Sequence, residues 1–196
     1  MSQTLTKLAG KGIVPLLPPL RLSGGAAAAV KGCQLAVEAF DKLEAGGFLM
    51  EAASLLALAL PPREAVWWAC MCAAHTAPPD LPEADRKAFE AAGLWVRHPT
   101  DKNRIAAKQL SDDAGMETPE AWIAGAVFFC GTSMLPEGQP VVPPRPHVAG
   151  GALGGAVLVA AGRTDPARYQ PRLHRFLESG RNIAAGGPGR LPPEEL

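Results

Sequence analysis

The sequence predicts an all-α fold: a single globular bundle of about seven to eight helices in antiparallel hairpins. Apolar residues recur at helical spacing along most of the chain. Proline and glycine fall where helices open and close. Strand signals are nearly absent, with no sustained alternation and no Asn-Gly or Asp-Gly turn between β-branched runs.

The elements follow in order. "GGAAAAVKGCQLAVEAFDKLEAGG" predicts a helix over 26–44, with Val30, Cys33, Val37 and Phe40 as its stripe and Gly46-Gly47 as its stop. "FLMEAASLLALAL" predicts a second helix, closed by Pro61-Pro62. "PPREAVWWACMCAAHTAPP" predicts a third, with proline in its first turn and Glu64 near its positive end. "PEADRKAFEAAGLWVRHP" predicts a fourth, with Phe89, Ala92 and Val96 on its apolar side. Thr100 suits the cap of a fifth, and Thr118-Pro119-Glu120 suits the start of a sixth. A seventh is expected over 147–161. The eighth begins near Pro171, after a short turn at Pro166–Tyr169. The short connections favour antiparallel neighbours. The domain is expected over 25–185, between a flexible proline-containing segment (1–24) and a flexible tail (186–196). Trp67, Trp68, Trp122, Phe128 and Phe129 are expected to be largely buried at its centre.

Composition excludes several function classes. Lys+Arg and Asp+Glu are equal at 19 each, so the chain lacks the dense positive surface that nonspecific nucleic-acid binding needs. Six late arginines, at 163, 168, 172, 175, 181 and 190, outnumber Asp165 and Glu178; they read as a solvated face in preference to an anion site. The longest uncharged run, Val148 to Gly162, is too short for the roughly 20 residues of a membrane span. Prolines 15, 18 and 19 interrupt the N-terminal apolar patch and argue against a secretory signal. Cys33, Cys70, Cys72 and Cys130 all sit among apolar residues, which points to reduced, buried thiols and a cytoplasmic location.

"WWACMCAAH", from Trp67 to His75, holds the richest chemistry by letter. On a helix each residue advances about 100°, so Cys70 and Cys72 point about 200° apart and cannot close on one ion. Cys72 and His75 do share a face. A Cys–His nucleophile needs a thiolate near positive charge, whereas Trp, Met and Ala raise a thiol's pKa. The segment therefore reads as a central helix, apolar nearly all round. No catalytic residue, cofactor or metal ligand is expected.

Gly150, Gly151, Gly154 and Gly155 weaken the predicted seventh helix, by about 1 kcal/mol each relative to alanine. Close approach to a neighbouring helix is the offset expected. A phosphate loop is excluded for want of a preceding strand and a Gly-Lys-Ser/Thr ending.

Two places suggest binding instead. "GTSMLPEGQPVVPPRPH" joins the sixth and seventh helices over residues 131–147 and contains Pro136, Pro140, Pro143, Pro144 and Pro146. Long loops of this kind are often functional, and "VVPPRP" favours polyproline II. It reads as a rigid connector first and a partner-binding strap second. "WVRHPTDKNR" sets Arg97, His98, Asp101 and Arg104 around a helix junction, where capping and ion pairing are the first reading.

"PPREAVWWACMCAAH", "WVRHPTDKNRIAA", "TPEAWIAGAVFFCGTSMLP" and "FLESGRNIAAGG" together resemble a family of uncharacterised bacterial proteins. Its members often accompany type VI secretion genes, near those for spike-tip and related proteins. The resemblance covers about residues 49–187. It implies an accessory role in secretion and carries over no catalytic or binding residue.

The function expected is a non-enzymatic protein-binding adaptor or chaperone. Its partner would be a protein, in the implied setting a type VI secretion component. The candidate contacts are Pro140, Val141, Val142, Pro143, Pro144 and Arg145 of the strap, Arg97 and His98 of the corner, and the N-terminal "VPLLPPL". The alternative is a small enzyme or ligand-binding protein that uses the Cys72/His75 face or the Arg97–Arg104 corner.

Overall fold

A computed structural model describes residues 4–135 and 138–194. The strap's Pro136 lies outside them, as do residues 1–3 and 195–196 of the two expected tails. The described chain is all-helical. Its elements are α1 (Leu17–Leu20), α2 (Gly24–Ala29), α3 (Ala36–Ala45), α4 (Leu49–Ala59) and α5 (Pro62–His75), then α6 (Glu83–Arg97), α7 (Asp101–Asp113), α8 (Pro119–Phe128), α9 (Val148–Ala161) and α10 (Tyr169–Ala184).

The caps form as the sequence suggests. The Thr100 hydroxyl accepts from Asn103 N at 3.3 Å to open α7, and the Thr118 hydroxyl accepts from Ala121 N at 3.2 Å to open α8. Asp165 accepts from Ala167 N at 2.9 Å before α10. The expected helix over 26–44 is instead broken into α2 and α3. Gly32 adopts φ +83°, which turns the chain out of the helix. Residues 33–35 then run extended beside Lys11–Ile13, with Ile13 N donating to Gln34 O (3.0 Å) and Ala36 N to Lys11 O (2.8 Å). Glu38 closes the start of α3 by accepting from Gln34 N and Leu35 N.

α8 and α9 lie at the middle of the packing. α9 contacts α4, α5, α8 and α10, and α8 contacts α5, α6, α7 and α9. α5 buries Ala65, Val66, Trp68, Ala69, Cys70, Cys72, Ala73 and His75. Trp68 is fully buried, and its indole N–H donates to Phe176 O of α10 at 2.8 Å. The ring lies where α10 has Gly180: a Cβ there would stand 2.9 Å from Trp68 Nε1 and 2.3 Å from Leu56 Cδ2.

Two of the four α9 glycines, Gly150 and Gly155, serve the close approach expected of them. A Cβ on Gly150 would meet Ala57 O and Leu58 Cα of α4 at 3.0 Å, and one on Gly155 would meet the Trp122 ring at 2.5 Å. Gly151 faces open space.

Two expectations need correction. The segment expected to be flexible before residue 25 is packed: Leu5, Leu8, Ile13, Leu16 and Leu20 are all buried in the same core. In the tail after α10, Pro188, Pro192 and Glu194 are likewise bonded to the bundle. Of the five aromatic residues expected at the centre, Trp68 alone is fully buried; Trp67, Trp122, Phe128 and Phe129 are half-buried. Near the surface, Trp67 Nε1 donates to Pro188 O (2.8 Å) and Trp122 Nε1 to Met116 O (2.6 Å). An aromatic-rich helix identifies the core without saying which ring is innermost.

Gly180→Ala is expected to destabilise the protein by about 1–2 kcal/mol, because overpacking outweighs the gain in helix propensity. Gly151→Ala, in open space, is expected to stabilise it by up to about 1 kcal/mol. Urea denaturation of the two variants beside the parent checks both signs.

Candidate binding face

The strap is pinned at both ends and exposed between them. At its start, Arg104 of α7 is buried, with 1% of its surface accessible. Its guanidinium donates to Asp101 Oδ1 (2.8 Å) and Phe128 O (2.7 Å) and lies 5.0 Å from the centre of the Phe128 ring. Gly131 sits against it, where a Cβ would come within 2.4 Å of Arg104 Nε. Ser133 then folds the strap back, its hydroxyl accepting from Leu135 N and Val142 N, both at 3.1 Å. Met134 N donates to Val142 O at 2.7 Å. At the far end, Pro144, Pro146 and His147 line a recess of about 250 Å³ with Leu58, Leu60 and Phe129. His147 takes φ +68° and turns the chain into α9.

Between the pins, Pro140, Val141, Val142, Pro143 and Arg145 are exposed and Pro144 is half-buried. Val141 stands 73% exposed, more than any other large apolar residue described. The predicted corner comes together as a cap. Thr100 N and Asn103 Nδ2 both donate to His98 O at 2.8 Å, while the Arg97 and His98 side chains are exposed. Arg104 alone of that group turns inward, and through it the corner reaches the root of the strap.

The Cys72/His75 face meets a different partner. Both residues are buried, and burial pushes the Cys72 thiol well up. Burial also pushes Cys70 up to about 12, with the Glu120 carboxylate adding to it. These thiols stay protonated at neutral pH, which weakens them as nucleophiles. The Nδ1 of His75 bonds Pro192 O, its ring stands edge-on to Phe176, and Glu194 N donates to His75 O at 2.8 Å. Among the described residues, no three His, Cys, Asp or Glu side chains come together as metal ligands would. None of the described helices is long and apolar enough to cross a membrane.

Sequence reasoning missed the ionic seam at this end of the bundle. Glu120, buried at the start of α8, pairs with Arg163, whose Nη1 also donates to Ala73 O at 3.3 Å. Arg172 of α10 is 2% exposed; it bonds Ala161 O and Arg163 O at the end of α9, and Glu194 beyond α10. Arg163 and Arg172, expected on a solvated face, are thus largely withdrawn from water. No signal in the sequence marks these pairs, because their members lie 43 and 22 residues apart.

Residues 39–184 match the family of unknown function DUF6931, and the chain belongs to that family. No curated protein and no solved structure matches the chain.

Arg172 holds the Glu194 carboxyl below its ordinary value of 4.5. A carboxyl depressed on folding stabilises the bonded state above its unfolded-state pKa, and that contribution is lost as pH falls through the lower folded value. The protection factor of the Glu194 amide against hydrogen exchange is therefore expected to hold above the ordinary carboxylate range. Below that range it should fall before the protection of the α5 amides does.

Proposed function

We propose that this protein is a non-enzymatic protein-binding adaptor or chaperone that engages its partner through the exposed limb of the strap. The observation that carries the reading is the exposed pair Val141 and Val142, on a strap whose root is bonded at Ser133 and sits against the buried Arg104, and whose far end is half-buried at Pro144 and His147. An apolar pair on a proline-rich backbone offers contact area with little conformational entropy left to lose on binding. The flanking prolines withhold backbone donors and favour the extended form that partner grooves take up. Arg145 on the same limb, with Arg97 and His98 at the exposed corner, supplies the polar rim of such a contact.

The bonding of the polar groups agrees with a binding role. The buried thiols are protonated, and the arginines of the core hold carboxylates and helix-end carbonyls. The setting we propose is the bacterial cytoplasm, as an accessory to type VI secretion. That setting rests on the resemblance of the helix-core strings, and the hairpin order of the helices is part of the same proposal.

The test is affinity capture from the native bacterium with the parent protein and with Val141→Asp/Val142→Asp. The variant should keep its stability to within about 0.5 kcal/mol, since both residues are exposed. The parent should retain a specific protein, a secretion component in the setting proposed, that the variant loses. Equal recovery by both, or no specific protein with the parent, overturns the reading.

A further inference from the structure

The segment after α10 runs back across the bundle and ends its described course at Arg172. Glu194 Oε2 accepts from Arg172 Nε at 3.0 Å and Nη2 at 2.6 Å, with Arg168 Nη1 at 3.4 Å. The guanidinium of Arg172 is fixed from behind by Ala161 O (3.0 Å) and Arg163 O, so its clamp stands whether or not Glu194 fills it. Next to the clamp, Pro192 O meets His75 Nδ1 and Glu194 N meets His75 O. Those two contacts use backbone atoms alone, and any extended chain offers them.

Among the described residues, Leu191 also packs against the core. Arg190, Pro192 and Pro193 are exposed and Leu191 is half-buried. His75 bonds the segment through Nδ1, while its Nε2 is buried without a hydrogen-bond partner among the described residues. A recess of about 510 Å³ opens between the segment and Arg168 and Arg175. Arginines around a recess, backbone contacts on one edge and a buried clamp for one carboxylate together describe a peptide site.

We propose that Leu191–Glu194 is an internal ligand occupying a site for an extended, acidic, proline-containing segment of a partner protein. The partner's carboxylate takes the place of Glu194 on Arg172, its backbone takes up the His75 contacts, and Arg175 faces a second acidic group. The site lies apart from the strap, and its function does not depend on it.

The probe is a fluorescein-labelled peptide, PGRLPPEEL, followed by anisotropy with the full chain. The parent should bind it weakly, because its own segment competes at high effective concentration. Glu194→Ala, which empties the clamp, should bind about tenfold tighter or more. A peptide carrying Gln for Glu194 should lose that gain, and this control needs no change to the protein's core. The Val141→Asp/Val142→Asp protein should bind the peptide as the parent does, which separates this site from the strap. No gain with Glu194→Ala overturns the proposal, as does equal binding of the Glu and Gln peptides. Reversible dimers of the parent that disappear in Glu194→Ala would overturn it in favour of segment exchange between two copies.

Discussion

The structure depends on the seating of Trp68 against α10. A tryptophan is among the largest apolar side chains a core can bury, and its N–H must find an acceptor once water is gone. Both demands are met at one place. The ring lies against Gly180, where α10 has no side chain, and the indole N–H reaches Phe176 O one turn earlier. The contact fixes the distance between α5 and α10. Leu56 of α4 and the apolar faces of α9 close around the same pair. Truncating a side chain this large in a closed core costs about 3–5 kcal/mol, a substantial part of a domain's whole stability.

Once α5 is committed to the core, its chemistry changes character. Two thiols and an imidazole taken out of water become packing groups: the thiols stay protonated, and His75 is bonded through Nδ1. The polar burden moves to the bundle's end, where helix termini converge. There Arg163 pairs with Glu120 and Arg172 with Glu194, and the two arginines also bond open carbonyls of α5 and α9, while Glu120 Oε1 has no hydrogen-bond partner among the described residues. Removing one partner of a buried pair is costly where the other charge is left alone. Arg172 keeps Ala161 O and Arg163 O as acceptors. Both proposed binding sites lie on segments outside the helices: the strap between α8 and α9, and the stretch beyond α10.

Local signals made the helical elements legible. Thr100 and Thr118 cap where they stand, α9 spans Val148–Ala161 inside the expected 147–161, and glycines 150 and 155 sit at close contacts. The family match over residues 39–184 falls on this same helical stretch. The misreadings share a different cause. The break between α2 and α3 comes from pairing with residues 11–13, twenty or more positions away. The order of residues 4–24 comes from leucines that find the core at long range. The ionic seam joins residues that no periodicity links, so Arg172 and Glu194 were invisible as a pair. Of the candidate contacts, the strap's exposed valines and prolines were readable because proline resists burial in a helix. Its anchoring by Arg104 was not, since an arginine at a helix start reads as solvated.

Cys70 and Cys72 of α5 lie inside the core and are reached only when the protein unfolds. Native-state labelling with iodoacetamide, read by mass spectrometry over a urea series, measures this directly. Cys70 and Cys72 are expected to label together, at the rate of global unfolding and with its urea dependence. Fast modification of either thiol while the fold is intact would contradict the claim and return Cys72 and His75 to the surface as a reactive site.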